Sequence, residues 1–272
     1  MRFLHVRLGA PARCRQALAD FYGRKLGIDV SFPGTDRLSF SIGETAIEFA
    51  PLSGEPFYHF ALLVPGNRFH EALTWARTRT ELLPNRESGE IVFDFGNWRA
   101  YACYFHDPAG NIVELIAHCG IGESSARGSF RADELVGLSE LGLVGDPPWM
   151  AERLAGRLGL VVWDGTLEEP GRLAFVGERA RTLILSPPGR DWLPTGRAAE
   201  PHAVEARVAG PREGEVKLEA ARSLITSVAA SDPHLPAYQA RGEGDSGRAT
   251  IRSRRRQGRQ GRAAAEGDAP EN

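Results

Sequence analysis

The chain has 272 residues, and its 33 Lys plus Arg stand against 35 Asp plus Glu for a formal net charge of −2. That balance excludes a global electrostatic pull toward nucleic acid or a membrane surface, and the length holds one large or two ordinary domains. Cys14, Cys103 and Cys119 are widely spaced with no CxxC pair, which fits a reducing cytosol better than a disulfide framework. The start Met1-Arg2-Phe3-Leu4-His5 has no long apolar region, and no run reaches a membrane span, so the expected location is the cytoplasm.

In chain order, Phe3–Leu8 reads as a strand, followed by a helix over Pro11–Leu26 in which Ala17, Leu18, Phe21, Tyr22 and Leu26 fall near helical spacing. Gly27 is the expected cap. Short strands follow near Ile28–Phe32, Arg37–Ile42 and Thr45–Ala50, separated by Pro33-Gly34 and Gly43-Glu44, and Leu52–Pro56 is a short linker. The plan then repeats. Strand Tyr58–Val64 leads to a helix through Phe69, Ala72, Leu73, Trp75 and Ala76. Strands Glu90–Phe95 and Arg99–Phe105 are joined by a turn at Gly96-Asn97. Asp107-Pro108-Ala109-Gly110-Asn111 is a concentrated turn signal before the closing strand Ile112–Ala117.

Residues 118–134 are small and polar and mark a linker. A third unit opens with Leu138–Val144, a helix from Trp149 to Leu158 ended by Gly159, and strands Arg172–Val176 and Arg181–Ser186. Aligning Leu143 with Leu8 sets Glu140 where His5 stands, and aligning Pro187 with Pro51 sets Ile184 where Glu48 stands, so the third unit is expected to hold no metal. A fourth unit begins near Pro201–Val208, where aligning Val208 with Val64 places Ala203 at the His59 position. It is expected not to close. From residue 229 the composition turns rich in Gly, Arg, Ser, Pro and Ala. The cluster Arg252, Arg254, Arg255, Arg256, Arg259 and Arg262 carries no interleaved aromatic, so a solvated tail is expected rather than a nucleic-acid contact.

The chemistry-bearing pattern lies in the first two units. Glu114 and Glu48 each interrupt an apolar strand, and a carboxylate so placed costs several kcal/mol, roughly, unless a cation or hydrogen bonds compensate it. Each is preceded by a strand with one histidine, giving the order His5, Glu48, His59, Glu114. Taken singly, His5 reads as a structural histidine and Glu48 as a satisfied strand acid. Together, two imidazoles and two carboxylates in register suit one divalent ion.

Asp107-Pro108-x-Gly110-Asn111-x-x-Glu114-Leu115 resembles the closing signature of the vicinal oxygen chelate superfamily, which includes glyoxalase I, extradiol dioxygenases, and fosfomycin- and bleomycin-resistance proteins. The resemblance covers residues 1–117, with a degenerate continuation to about residue 210. It implies an α+β fold of paired βαβββ modules with a degenerate second half. It also implies a domain over 1–117, a linker over 118–134, an incomplete partner over 135–228 and a tail over 229–272. By position in the modules it implies metal ligands His5, Glu48, His59 and Glu114, with Glu114 and Glu48 as candidates for moving a proton on the substrate carbon.

The implied activity is that of a glyoxalase-like lyase or isomerase acting on a small substrate that chelates the metal through neighbouring oxygens. The same His and carboxylate set accepts Zn, Ni, Fe, Mn or Co. Extradiol dioxygenases, the first alternative, use two histidines and one glutamate, matching His5, His59 and Glu114, and keep a non-ligand where Glu48 stands. Metal-free drug binding is the second alternative. Gly9 occupies the place where glutathione-using glyoxalases commonly carry arginine, which argues against a glutathione product.

On this reading Glu48→Gln weakens metal binding and abolishes turnover. The second half packs on the first or mediates homodimerisation. Arg7 shares the face of His5 and meets an anionic substrate or solvent. His106 and His118 are expected exposed, Trp98, Tyr101 and Phe105 in the core or a pocket wall, and Asp107 and Asn111 in service of the turn.

Overall fold

The structure, a computed structural model, describes residues 1–230; the expected arginine-rich tail from Ser231 lies outside the described residues. The first module runs β1 (Arg2–Ala10), helical turns at Ala12–Cys14, α1 (Arg15–Ala19) and wider turns at Asp20–Lys25, then β2 (Val30–Ser31), β3 (Leu38–Ile42) and β4 (Thr45–Pro51). The second runs β5 (His59–Val64), α2 (Phe69–Arg77), β6 (Phe93–Phe95), β7 (Ala100–His106) and β8 (Ile112–His118). The third comprises β9 (Gly137–Val144), α3 (Pro147–Leu158), β10 (Val162–Gly165), β11 (Ala174–Glu178) and β12 (Arg181–Ser186). A small hairpin, β13 (Asp191–Trp192) and β14 (Arg197–Ala198), precedes the last strands, β15 (Val204–Gly210), β16 (Gly214–Leu218) and β17 (Ser223–Ala229).

These strands form two large sheets whose composition departs from the expected division at residues 118–134. The outer sheet has the order β16-β17-β15-β1-β4-β3-β2, and the inner sheet β10-β11-β12-β9-β5-β8-β7-β6. The first module therefore pairs with the fourth, through antiparallel β1 and β15, and the second pairs with the third, through antiparallel β5 and β9. Residues 1–117 do not make one sheet of their own. The fourth module also closes where the sequence promised no closure: β17 lies parallel to β15, as β4 does to β1, although the module has no helix.

Alternation along the strands sorts side chains to two faces. One face of each sheet joins α1, α2 and α3 in the main core, where Val6, Leu8, Ile47 and Phe49 of the outer sheet pack with Phe60, Leu62, Val113 and Leu115 of the inner one. The opposite face of the inner sheet gathers Phe57, Ala61, Phe93, Ala102, Tyr104, Ile116, Ile184 and Trp192 into a second, smaller apolar cluster. Trp98 curls this sheet, since its indole donates to Asp164 Oδ2 at 2.6 Å and packs edge-on against Phe175, bringing β6–β7 to β10–β11.

The turn signature performs the expected local job. Asp107 Oδ1 accepts from the backbone N–H of Ala109 and Asn111, its Oδ2 accepts from Tyr22 Oη and Asn111 Nδ2, and Asn111 Oδ1 accepts from Tyr58 N. The turn thereby ties the head of β8 to the head of β5 and to the first module.

The two sheets meet at the β3–β4 turn. Thr45 Oγ1 donates to Phe3 O and accepts from Leu138 N, and Glu44 pairs with both Arg2 and Arg181. Gly43 sits here at φ 50°, and a Cβ on it would lie 1.9 Å from Val136 O. Gly43→Ala must displace backbone at this junction, so we expect a loss of about 2 kcal/mol or more, read as a drop in the urea midpoint well beyond that of a Gly27→Ala control, where φ is also positive but the space is open. Equal losses in both would make backbone conformation, and not the contact, responsible.

Candidate metal centre

Two acid-bearing strands and one histidine strand converge inside the inner sheet. His59 opens β5 and pairs with Ile112, Ala61 pairs with Glu114 on one side and with Glu140 on the other, and all side chains on that face point into the apolar cluster. His59, Glu114 and Glu140 are all buried, and each offers a ligand atom within 4.8 Å of the others. Among the described residues this is the one such group of three.

The histidine is oriented for a cation. Its Nδ1 lies 3.2 Å from Ile112 O, and because a carbonyl only accepts, Nδ1 carries the proton and Nε2 presents its lone pair. That lone pair lies 3.4 Å from Glu114 Oε2. Two electron-rich atoms at that spacing need a proton or a metal between them. Burial lowers the His59 pKa to about 4, so the imidazole does not supply the proton near neutrality.

The carboxylates carry the same demand. Burial raises the Glu140 pKa to about 8. Burial first, and then the charge of Glu140, raise that of Glu114 well above the ordinary carboxylate range. Glu114 Oε1 has no hydrogen-bond partner, while Tyr104, its neighbour across the β7–β8 ladder, lies within hydrogen-bonding reach of the carboxylate. A buried acceptor left unpaired costs about 1–3 kcal/mol. One divalent ion satisfies both glutamates and the histidine lone pair at once, and the backbone bond at Nδ1 is the usual outer support of a metal-bound imidazole.

The centre is covered. Trp192, from the β13–β14 hairpin, places its ring 5.0 Å from that of His59. It fits because Gly142, beneath it on β9, has no side chain: a Cβ there would stand 2.9 Å from the indole. Phe57, Tyr58, His59, Gly142, Trp192 and His202 leave a cavity of about 10 Å³, near the space one water occupies. Further along β8, His118 is fully buried, and burial together with Arg179 lowers its pKa to about 4.

The sequence-derived ligand set is thus divided. His59 and Glu114 come together; His5 and Glu48 lie in the outer sheet, where β1 pairs with β4 and β15, and they do not join the inner cluster. The physical reason is the inter-module pairing: the third residue of the buried group comes from the strand that abuts β5, which is β9. Glu140, set aside in the sequence because it replaces a histidine, takes that place. His106 is exposed as expected, whereas His118 is buried. Tyr101 is exposed, Phe105 buried, and Trp98 lies where the ends of the inner sheet meet.

No protein-family model and no curated protein sequence matches the chain. Solved structures do. A putative dioxygenase from Bacillus subtilis superposes with a TM-score of 0.51 at 16% identity, covering 84% of this chain and 85% of that one. Glyoxalase I from Zea mays covers 75% of this chain and 74% of its own at 16% identity, with a TM-score of 0.45. The first likeness shows the fold, an α+β arrangement of paired βαβββ modules. Among the described residues no helix is long and apolar enough to cross a membrane.

Proposed function

We propose that the chain is a metal-dependent enzyme of the glyoxalase-like lyase or isomerase kind, with one divalent ion held by His59, Glu114 and Glu140. The observation that carries this reading is the buried trio itself: His59, Glu114 with one partnerless oxygen, and Glu140 offer ligand atoms within 4.8 Å of one another. Three protein ligands are the number found in catalytic centres that keep positions open for substrate. When bound, the ion supplies Lewis acidity toward a small metabolite that offers two neighbouring oxygens.

The chain's own groups do the rest. The apolar wall of Phe57, Phe93, Ile116 and Ile184 excludes water and strengthens every polar contact within. Glu114 and Glu140, deprotonated once they hold the ion, are the carboxylates placed to take a proton from a substrate carbon and return it to the neighbouring carbon. Tyr104 holds Glu114 from the side. Residue 63, four after His59, is a buried leucine, so the arginine associated with glutathione use is absent here as well as at Gly9.

A second reading, an iron-dependent ring-cleaving dioxygenase, is favoured by the aromatic side chains of Phe57, Phe93, Tyr104 and Trp192 gathered in the same apolar cluster. Its weakness is the ligand set, one histidine and two carboxylates instead of two histidines and one carboxylate. Elemental analysis of tag-free protein tests both. Wild type should hold about one equivalent of a divalent metal and His59→Ala essentially none. Zn, Ni, Co or Mn supports the isomerase reading and directs screening to 2-oxoaldehydes and thiol adducts; iron with oxygen uptake on catechols moves the dioxygenase first. Metal-free wild type after reconstitution with each ion would overturn both in favour of plain ligand binding.

A further inference from the structure

With the β13–β14 hairpin down, the candidate centre has no room for a substrate. The space left beside His59 is about 10 Å³, which holds one water, whereas a metabolite that chelates through two neighbouring oxygens needs several times that. Some part of the enclosure has to move. Its floor is sheet: His59, Glu114 and Glu140 stand on β5, β8 and β9, which are hydrogen-bonded to one another and continue into β7 and β12. Its cover is the hairpin, whose two strands pair with each other and with neither large sheet.

The hairpin is built as a separate flap. It lies in the crossover from β12 of the inner sheet to β15 of the outer one. Gly189 N donates to Ala199 O at 2.8 Å and Ala199 N donates to Arg190 O at 2.7 Å, so the neck is closed and the loop holds together as a unit. The flanking residues 187–190 and 199–203 belong to no helix or strand. Among them Gly189 has a positive φ of 79° with open space where a Cβ would stand, the kind of position at which backbone can rotate.

Two of its side chains hold the flap down. Trp192 lies over His59, with ring centroids 5.0 Å apart, in the space that Gly142 leaves. Arg197 sets its guanidinium 3.3 Å from the centroid of the Phe57 ring and donates through Nη1 to Gly110 O at 3.3 Å, which ties the second strand to the chain ahead of β5 and β8. The Arg86 side chain lies against Gly196 at the tip. A cation–π contact and a single hydrogen bond are each weak enough to break and re-form without unfolding the sheets. Leu193 is exposed, so the tip faces solvent and has room to swing outward.

We propose that the β13–β14 hairpin is a lid over the candidate centre, with Trp192 as its plug and Arg197 as its latch, and that small molecules reach His59 only when the lid lifts. Lifting Trp192 vacates the volume of an indole beside His59, which fits a small metabolite, and closing it again shields the centre from water. The proposal rests on the metal-centre reading for what enters; the covering of His59 does not depend on a metal.

Access to His59 is read directly by carbethoxylation with diethyl pyrocarbonate, mapped by peptide mass spectrometry on chelator-treated protein. The reagent attacks an unprotonated imidazole nitrogen that it can reach, so the rate reports opening whether or not the centre binds metal. In wild type His59 should react about tenfold or more slowly than the exposed His106, since it waits for a local opening. Arg197→Ala, which removes the latch, and Gly142→Ala, whose added methyl group displaces the indole, should each speed His59 by about fivefold or more. His118, buried at the far end of β8, should keep its wild-type rate. A variant of either kind that keeps its circular dichroism and leaves the His59 rate unchanged overturns the proposal. So does a rise shared equally by His118, which marks loosening of the whole sheet, or a wild-type His59 that reacts as fast as His106. A metal-free wild type would sink the metal-centre reading and leave these rates to decide the lid.

Discussion

Glu140→Gln should strip the protein of its metal, while Glu48→Gln should leave the metal in place. The glutamates look alike in sequence, each a lone acid in an apolar strand, and their expected roles are opposite. Glu140 offers a ligand atom to the buried trio, whereas Glu48 is already paired with Arg7 at 2.6 Å in the other sheet. Loss of an outer-shell support costs a metal site roughly 10–100-fold in affinity, so loss of a direct ligand should cost about 100-fold or more. Competition against a chromogenic chelator measures it. Glu48→Gln should instead cost about 1 kcal/mol or less of stability, because the Arg7 side chain is 34% exposed and solvent screens the pair. Metal lost from Glu48→Gln and kept in Glu140→Gln would restore the four-residue set of His5, Glu48, His59 and Glu114 and sink the assignment made from the fold.

The metal-free protein should lose stability as pH rises from about 6.5 to about 8. The folded-state pKa of Glu140 is raised to about 8, and that of Glu114 is raised well above its ordinary value, chiefly by burial. A group raised in this way contributes stability that is fully present below its unfolded value, near 4.5, and lost as pH climbs through the folded value. His59 and His118, both lowered to about 4, act in the opposite sense, but their contribution is complete above about 6.5. Between 6.5 and 8 the carboxylates therefore set the slope. The cumulative loss is on the order of a few kcal/mol, visible as a falling midpoint in urea melts run with chelator. Saturating metal should reverse the trend, since its ligands bind deprotonated. Glu140→Gln should flatten it. A chelated wild type whose midpoint rises across this window would mean that the two acids are not held protonated in the fold.

The modules were legible because their signals are local. Gly27 and Gly159 end helices at positive φ, Asp107 and Asn111 build a turn from their own side chains, and strand alternation marks which faces are buried. What joins to what was not legible. β1 and β5 are first strands of the same type, with histidine at the same position, and nothing local distinguishes β15 from β5 as the edge that β1 meets. The choice rests on contacts such as Arg7 with Glu205 and Thr45 with Leu138, which link residues about 90 or more positions apart. Glu140 did carry a signal, since it interrupts Leu138–Leu143 as Glu114 interrupts its own strand. It was discounted because it stood where a histidine was sought.

The nested pairing of the modules also sets an order for the birth of the fold. Every strand of the inner sheet lies between residues 59 and 186, one unbroken stretch, whereas β1 waits for a partner that begins at Val204. At about 5–20 residues per second, a ribosome needs roughly ten to forty seconds to deliver β15 after β1. During that interval the chain can complete the sheet that holds His59, Glu114 and Glu140 while β1 keeps an unpaired edge. The polar residues His5 and Arg7 on that strand then act as guards, because charged side chains discourage edge-to-edge association with a neighbouring nascent chain.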